Sequence, residues 1–160
     1  MEDLIKIKGI GISKACSILA TIELGSRINS KVSNLSKRFM SNIDIYEYYK
    51  NKIGFNKQEV FYAVYLDSKN MIIKEIELFR GTLDSSQVHP REIFLNAYKL
   101  DAVKIICVHN HPSGNTIPSK NDIYLTKRLI EIGNIMGVKI YDHIIIGFNN
   151  YYSFLENGDI

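Results

Sequence analysis

The sequence predicts an α/β (α+β) domain, a mixed sheet sandwiched by helices, with a short helical segment ahead of it. Three patterns carry this expectation. Residues 59–67 and 71–83 alternate in polarity as half-buried strands do, and short apolar runs at 103–108 and 138–146 read as buried strands. Two stretches with helical spacing, 90–100 and 119–136, lie between these strands.

Residues 4–8, LIKIK, lead into Gly9-Ile10-Gly11, a pair of glycines suited to a tight turn. A helix is expected next, with Ala15, Ile18, Leu19, Ile22 and Leu24 as its apolar positions and Gly25 as its stop. A basic, polar connector follows, and then a lead-in helix in the Tyr-rich stretch ending at Phe55. Ser68-Lys69-Asn70 closes a hairpin between the two alternating runs. Pro90 suits the first turn of the helix that follows, whose stripe is Ile93, Phe94, Ala97, Tyr98 and Leu100. The helix from Ser119 turns Ile123, Leu129, Ile130, Ile132 and Met136 inward and ends at Gly137. Tyr151-Tyr152-Ser153-Phe154 pairs beside the last long strand after a turn. The expected division is a helical segment at 1–28, a linker at 29–42 and the α/β domain at 43–160.

Composition supports a core. Of 160 residues, 46% are hydrophobic and 23% charged, the composition of a globular chain, for which disorder is not the default. No apolar run is long enough to span a bilayer and the first residues lack a signal peptide's apolar stretch, so the expected location is the cytoplasm, with no membrane partner. Cys16 and Cys107 both sit in apolar stretches and are expected to be buried free thiols. The net charge of +3 is too small to demand nucleic acid. Its distribution is uneven: residues 1–56 hold nine Lys/Arg against five Asp/Glu, and the remainder is slightly acidic.

The chemistry concentrates in His109-Asn110-His111-Pro112-Ser113-Gly114, followed by Ser119 and Asp122. Histidines two apart on an extended segment face the same side. A carboxylate from the first turn of a following helix would complete a three-ligand metal set, leaving a fourth position for water as catalytic zinc sites do. Ser119 to Asp122 also reads as a helix cap, which would aim the Asp122 carboxylate back at the strand end. His89, ahead of a helix, and His143, beside Asp142 in a strand, read as orienting or core residues. Asn110 and Ser113 either bind substrate or shape the loop, and Tyr151 and Tyr152 read as core or edge aromatics.

These residues resemble a known family. His109-x-His111, ten intervening residues and Asp122, with Ser119 three before it, resemble the JAMM motif of the JAB/MPN (cytidine-deaminase-like) metalloprotease fold. HNHPSG with PSxxD, VHPREIF upstream and YDHIIIG downstream is similar, more narrowly, to the RadC family over residues 56–156. The resemblance implies zinc (Zn2+) at His109, His111 and Asp122, Ser119 as donor to an oxyanion, and a distant glutamate as acid/base on the zinc water. Glu59, 50 residues before His109, occupies the place of that glutamate, and Glu92 is its rival. A metallopeptidase or isopeptidase follows, with a peptide, isopeptide or other amide as substrate.

Residues 7–11, IKGIG, with a helix after them, resemble the second half of a helix-hairpin-helix, whose N–H groups contact DNA phosphate. RadC-family chains carry such a region, and here only eight residues precede the hairpin, so a truncated unit with weak DNA contact is expected. The alternative function is therefore a DNA-associated repair or mobile-element accessory protein. A metal-free scaffold has no need to keep every ligand. The oligomeric state is open.

Overall fold

The alternating and apolar runs all become strands in the computed structural model, which describes residues 1–32, 41–81 and 88–160. They are β1 (Glu59–Leu66), β2 (Ile72–Gly81), β3 (Lys104–Asn110), β4 (Lys139–Ile146) and β5 (Tyr151–Ser153). The sheet has the order β2-β1-β3-β4-β5. Among the described strands only β3 and β4 pair in parallel, the helix between them carrying the chain back to the same sheet end. The helices are α1 (Glu2–Ile5), α2 (Ile12–Val32), α3 (Asn42–Ile53), α4 (Pro90–Lys99) and α5 (Lys120–Met136). The chain divides into two compact units, Met1–Asn34 and Leu35–Ile160.

The expected mixed sheet sandwiched by helices is what forms. Phe61, Ala63 and Tyr65 of β1 pack with Ile105 and Cys107 against Ile93, Phe94 and Ala97 of α4 and Leu125 and Leu129 of α5. The opposite face sets Val60, Tyr62, Val64 and Leu66 against Ile45, Tyr46, Tyr49 and Ile53 of α3. Successive side chains thus alternate between two cores, as a strand covered on both faces requires.

Several local expectations are corrected. Gly25 does not stop its helix, which continues to Val32; glycine costs a helix interior about 1 kcal/mol, too little to end it unaided. In the first unit Ala15 is buried while Leu19, Ile22 and Leu24 are exposed, and Cys16 is exposed whereas Cys107 is buried. The inward face of α5 is Asp122, Leu125, Thr126, Leu129 and Gly133, so Ile123 and Met136 face outward. Tyr98 is likewise exposed. Residues 33–40 of the expected linker, and the end of the second alternating run beyond Gly81, lie outside the described residues. Among the described residues no helix is long and apolar enough to cross a membrane.

The edge strand β2 is tied to α3 through Glu75. Its carboxylate accepts from the Tyr48 hydroxyl at 2.8 Å and from the Tyr49 hydroxyl, and pairs with Lys52, whose ammonium lies 4.4 Å from the Tyr62 ring centre. Burial alone would raise the Glu75 carboxyl, but Lys52 and the two hydroxyls hold it below its ordinary value. A carboxylate so depressed contributes stability above its unfolded pKa, about 4.3, and loses it as pH falls further. The wild type is therefore expected to lose stability below about pH 4.5 more steeply than Glu75→Gln. Urea unfolding at pH 7 and pH 3.5 checks this; parallel curves would refute it.

Candidate metal centre

The parallel pair β3 and β4 and the N-terminus of α5 meet at one end of the sheet, and the chemically active side chains gather there. His109 is in the last turn of the β3 pleat, and His111 follows the strand with its N–H still donating to the Ile146 carbonyl at 3.1 Å. Asp122 arrives from the first turn of α5. There Ser119 caps the helix: its hydroxyl accepts from the Asp122 N–H at 3.2 Å, while the Asp122 carboxylate accepts from the Ser119 N–H at 2.7 Å. The capping box therefore aims the carboxylate at the strand end.

Three donor atoms converge. His109 Nε2 lies 3.2 Å from Asp122 Oδ1, His111 Nε2 lies 3.4 Å from Asp122 Oδ2, and the two Nε2 atoms are 3.0 Å apart. One donor atom from each of the three residues fits within 4.8 Å of the others. His109 and Asp122 are buried. Burial would raise the Asp122 carboxyl, but hydrogen bonds to His109 and His111 hold it well below the carboxylate range, so the site keeps its anion. Burial would lower His111, and its bonds to Asp122 and the Asn115 carbonyl, with the Asp122 and Glu59 charges, raise it.

Behind these groups stands a second layer of contacts. His111 Nδ1 meets the Asn115 carbonyl at 2.6 Å. His109 Nδ1 meets His143 Nε2 at 2.9 Å, and His143 Nδ1 meets the Thr126 hydroxyl at 2.6 Å. Burial, and then the neighbouring His109, push His143 well below its ordinary value. Phe61 stacks on His109 and Phe154 on His143, with ring centres 6.0 and 5.1 Å apart. Asp142 accepts from the Ser153 hydroxyl at 2.6 Å and from the Leu155 N–H at 3.0 Å, which anchors the turn carrying Phe154.

The remaining candidates separate by position. Pairing of Phe61 with His109 across β1 and β3 sets Glu59 level with His111 on the same face, and its charge acts on His111. Glu92 is exposed in the first turn of α4. Asn110 is buried and shapes the backbone: its amide oxygen accepts from the Val60 N–H at 2.8 Å and its NH2 donates to the Gln58 carbonyl at 3.2 Å. Ser113 accepts from the Asn115 N–H at 3.3 Å. His89 is exposed at the N-cap of α4 without a side-chain cap bond. Tyr151 packs against the α3-side core beside the short edge strand. Thr126 was invisible as a functional residue in the sequence, although its position four after Asp122 places both on one helix face.

The loop holding His111 has a sensitive point. Gly114 has φ +76°, and a Cβ there would lie 2.5 Å from Phe148. Gly114→Ala is expected to cost about 1–2 kcal/mol from backbone conformation alone, and to weaken metal binding by shifting the loop. Thermal melts with and without metal read both effects; an unchanged melting temperature would refute the first.

The donor set suits a metal ion. Two imidazole nitrogens and a carboxylate are the ligand types of a three-ligand site that leaves a position open, and both Nδ1 atoms are already engaged while both Nε2 atoms face the carboxylate. Fold and site together define an α/β domain with a His-His-Asp cluster able to hold a metal ion. A family model described as the RadC-like JAB domain matches residues 39–159, and the chain belongs to that family. It is 48% identical to a UPF0758 protein of Clostridioides difficile over 98% of this chain and 66% of that protein. Similar proteins of Geobacillus sp. (strain WCH70) and Trichlorobacter lovleyi are 47% and 40% identical, each over 99% of this chain and 70% and 69% of theirs. The chain thus spans about two thirds of the C. difficile relative's length.

Proposed function

We propose that this protein is a zinc-dependent hydrolase of peptide, isopeptide or other amide bonds. The observation carrying the proposal is the convergence of His109, His111 and Asp122 at the end of β3, with Glu59 on the same sheet face. Zinc held by these three residues would lower the pKa of a water towards about 7 and polarise an amide carbonyl. Glu59 takes the proton of the attacking water and returns it to the leaving amine. Ser119 uses its oxygen as acceptor in the helix cap, so its hydroxyl hydrogen remains for a developing oxyanion. Asp122 keeps the site anionic, and the two histidines hold fixed orientations through their Nδ1 contacts. The test is zinc per chain in the purified protein, followed by cleavage of an unbiased peptide library. A protein that takes up no zinc would sink the reading.

The N-terminal unit favours a second activity. The four-residue helix α1, a turn in which Gly9 has φ +93° and the start of α2 lie where the truncated helix-hairpin-helix is expected, with Lys6, Lys8 and Lys14 exposed. DNA association would show as binding that weakens steeply with salt. Absence of binding at low salt would count against it.

A further inference from the structure

The partners behind His109 are connected in one direction only. The Thr126 hydroxyl has one hydrogen and lies 2.6 Å from two groups, the Asp122 backbone carbonyl and His143 Nδ1. A carbonyl oxygen only accepts, so the hydroxyl hydrogen goes to Asp122. The Thr126 oxygen must then accept, and His143 Nδ1 carries the hydrogen that it receives. His143 is fully buried, and among the described residues its ring nitrogens bond to Thr126 and His109, neither of them a carboxylate. A doubly protonated ring would be an unpaired buried cation, so the ring is neutral and its Nε2 is bare. That bare nitrogen faces His109 Nδ1 at 2.9 Å, so His109 is the donor there. With a hydrogen held on Nδ1, His109 is left with Nε2, the nitrogen that faces Asp122 and His111, as its ligand atom.

We propose that Thr126 and His143 are positioning residues: a hydrogen-bond relay, anchored on the backbone of Asp122, that holds His109 in the tautomer able to bind zinc. The proposal rests on the metal reading above and deepens it. His111 is oriented by a simpler device, the Asn115 carbonyl at 2.6 Å. The two ligands therefore respond differently to mutation. Asp122 acts twice, since its carboxylate joins the ligand set while its carbonyl anchors the relay that orients His109. Thr126 suits the post because a helix residue at i+4 can bond the i carbonyl and still offer its lone pair sideways. Serine preserves that hydroxyl, whereas valine keeps the shape and removes it.

The experiment compares wild type, Thr126→Ser and Thr126→Val for zinc affinity by chelator competition, and reads the histidine ring nitrogens by 15N NMR in the zinc-loaded wild type. Thr126→Val is expected to bind zinc about 10–100-fold more weakly, as loss of such an outer partner typically does, and Thr126→Ser to bind as wild type. The NMR spectrum is expected to place the His143 hydrogen on Nδ1 and the His109 hydrogen on Nδ1. If Thr126→Val does not fold, the tautomers and the serine variant still decide. Wild-type affinity in Thr126→Val, or a His143 hydrogen on Nε2, would overturn the relay while leaving the metal reading intact. A wild type that binds no zinc would overturn both.

Discussion

Asp122→Asn is expected to abolish tight zinc binding while leaving the fold standing. The substitution keeps shape and one oxygen, so the helix cap to the Ser119 N–H at 2.7 Å can persist. What disappears is the charge. Asp122 is the only carboxylate among the three clustered residues, and its neighbours hold it ionised far below the usual carboxylate range. An amide in its place offers zinc a neutral oxygen, or turns an NH2 donor towards His109 Nε2, now 3.2 Å from Oδ1. Outer partners of metal ligands are worth about 10–100-fold in affinity, so a direct ligand should exceed about 100-fold. The metal-free variant should keep its fold, because the amide oxygen can still accept from the Ser119 N–H. Zinc titration and metal-free melting measure the two effects. Stoichiometric, tight zinc in the variant would mean that another group supplies the third ligand.

Glu59→Gln is expected to remove turnover without removing metal. Glu59 opens β1, and the β1–β3 register sets it level with His111 on the sheet face of His109. Asn110 secures that placement through its bond to the Val60 N–H at 2.8 Å. Glutamine keeps the size of the side chain and cannot carry a proton from water to a leaving amine. The expected fall in kcat is about 100- to 10,000-fold, the range of general acid–base contributions, with zinc per chain unchanged. Glu92→Gln is expected to leave kcat as it was, because Glu92 is exposed on α4. Full activity in Glu59→Gln would transfer the role elsewhere.

The cluster of His109, His111 and Asp122 was legible because its information is local. The spacing of His109 and His111 on a strand, and a cap that ties Ser119 to Asp122, are fixed by neighbours within a few residues. Glu59 and Glu92 both lie far from His109 along the chain, and it is strand pairing that sets Glu59 level with His111 while Glu92 stays exposed on α4. The faces of α5 were read partly wrong for a related reason. Hydropathy placed Ile123 inward, but the helix is oriented with the polar pair Asp122 and Thr126 towards the sheet. A functional face can be polar where its hydrogen bonds are satisfied internally.

His143 shows the division most clearly. Sequence alone determined that a strand would run through it, that helices would cover the sheet, and that His109, His111 and Asp122 would gather at one strand end, because periodicity and capping act over short distances. It left open which way His143 would face. The register of β3 with β4 jumps from Ile105 opposite Ile140 to Ile106 opposite Asp142, a bulge at Tyr141. Without that extra residue His143 would sit opposite Val108 and face α3; with it, His143 sits opposite Cys107 and reaches His109 and Thr126. One residue of register reverses every side chain beyond it, and that register belongs to the pairing of two strands rather than to either strand's sequence.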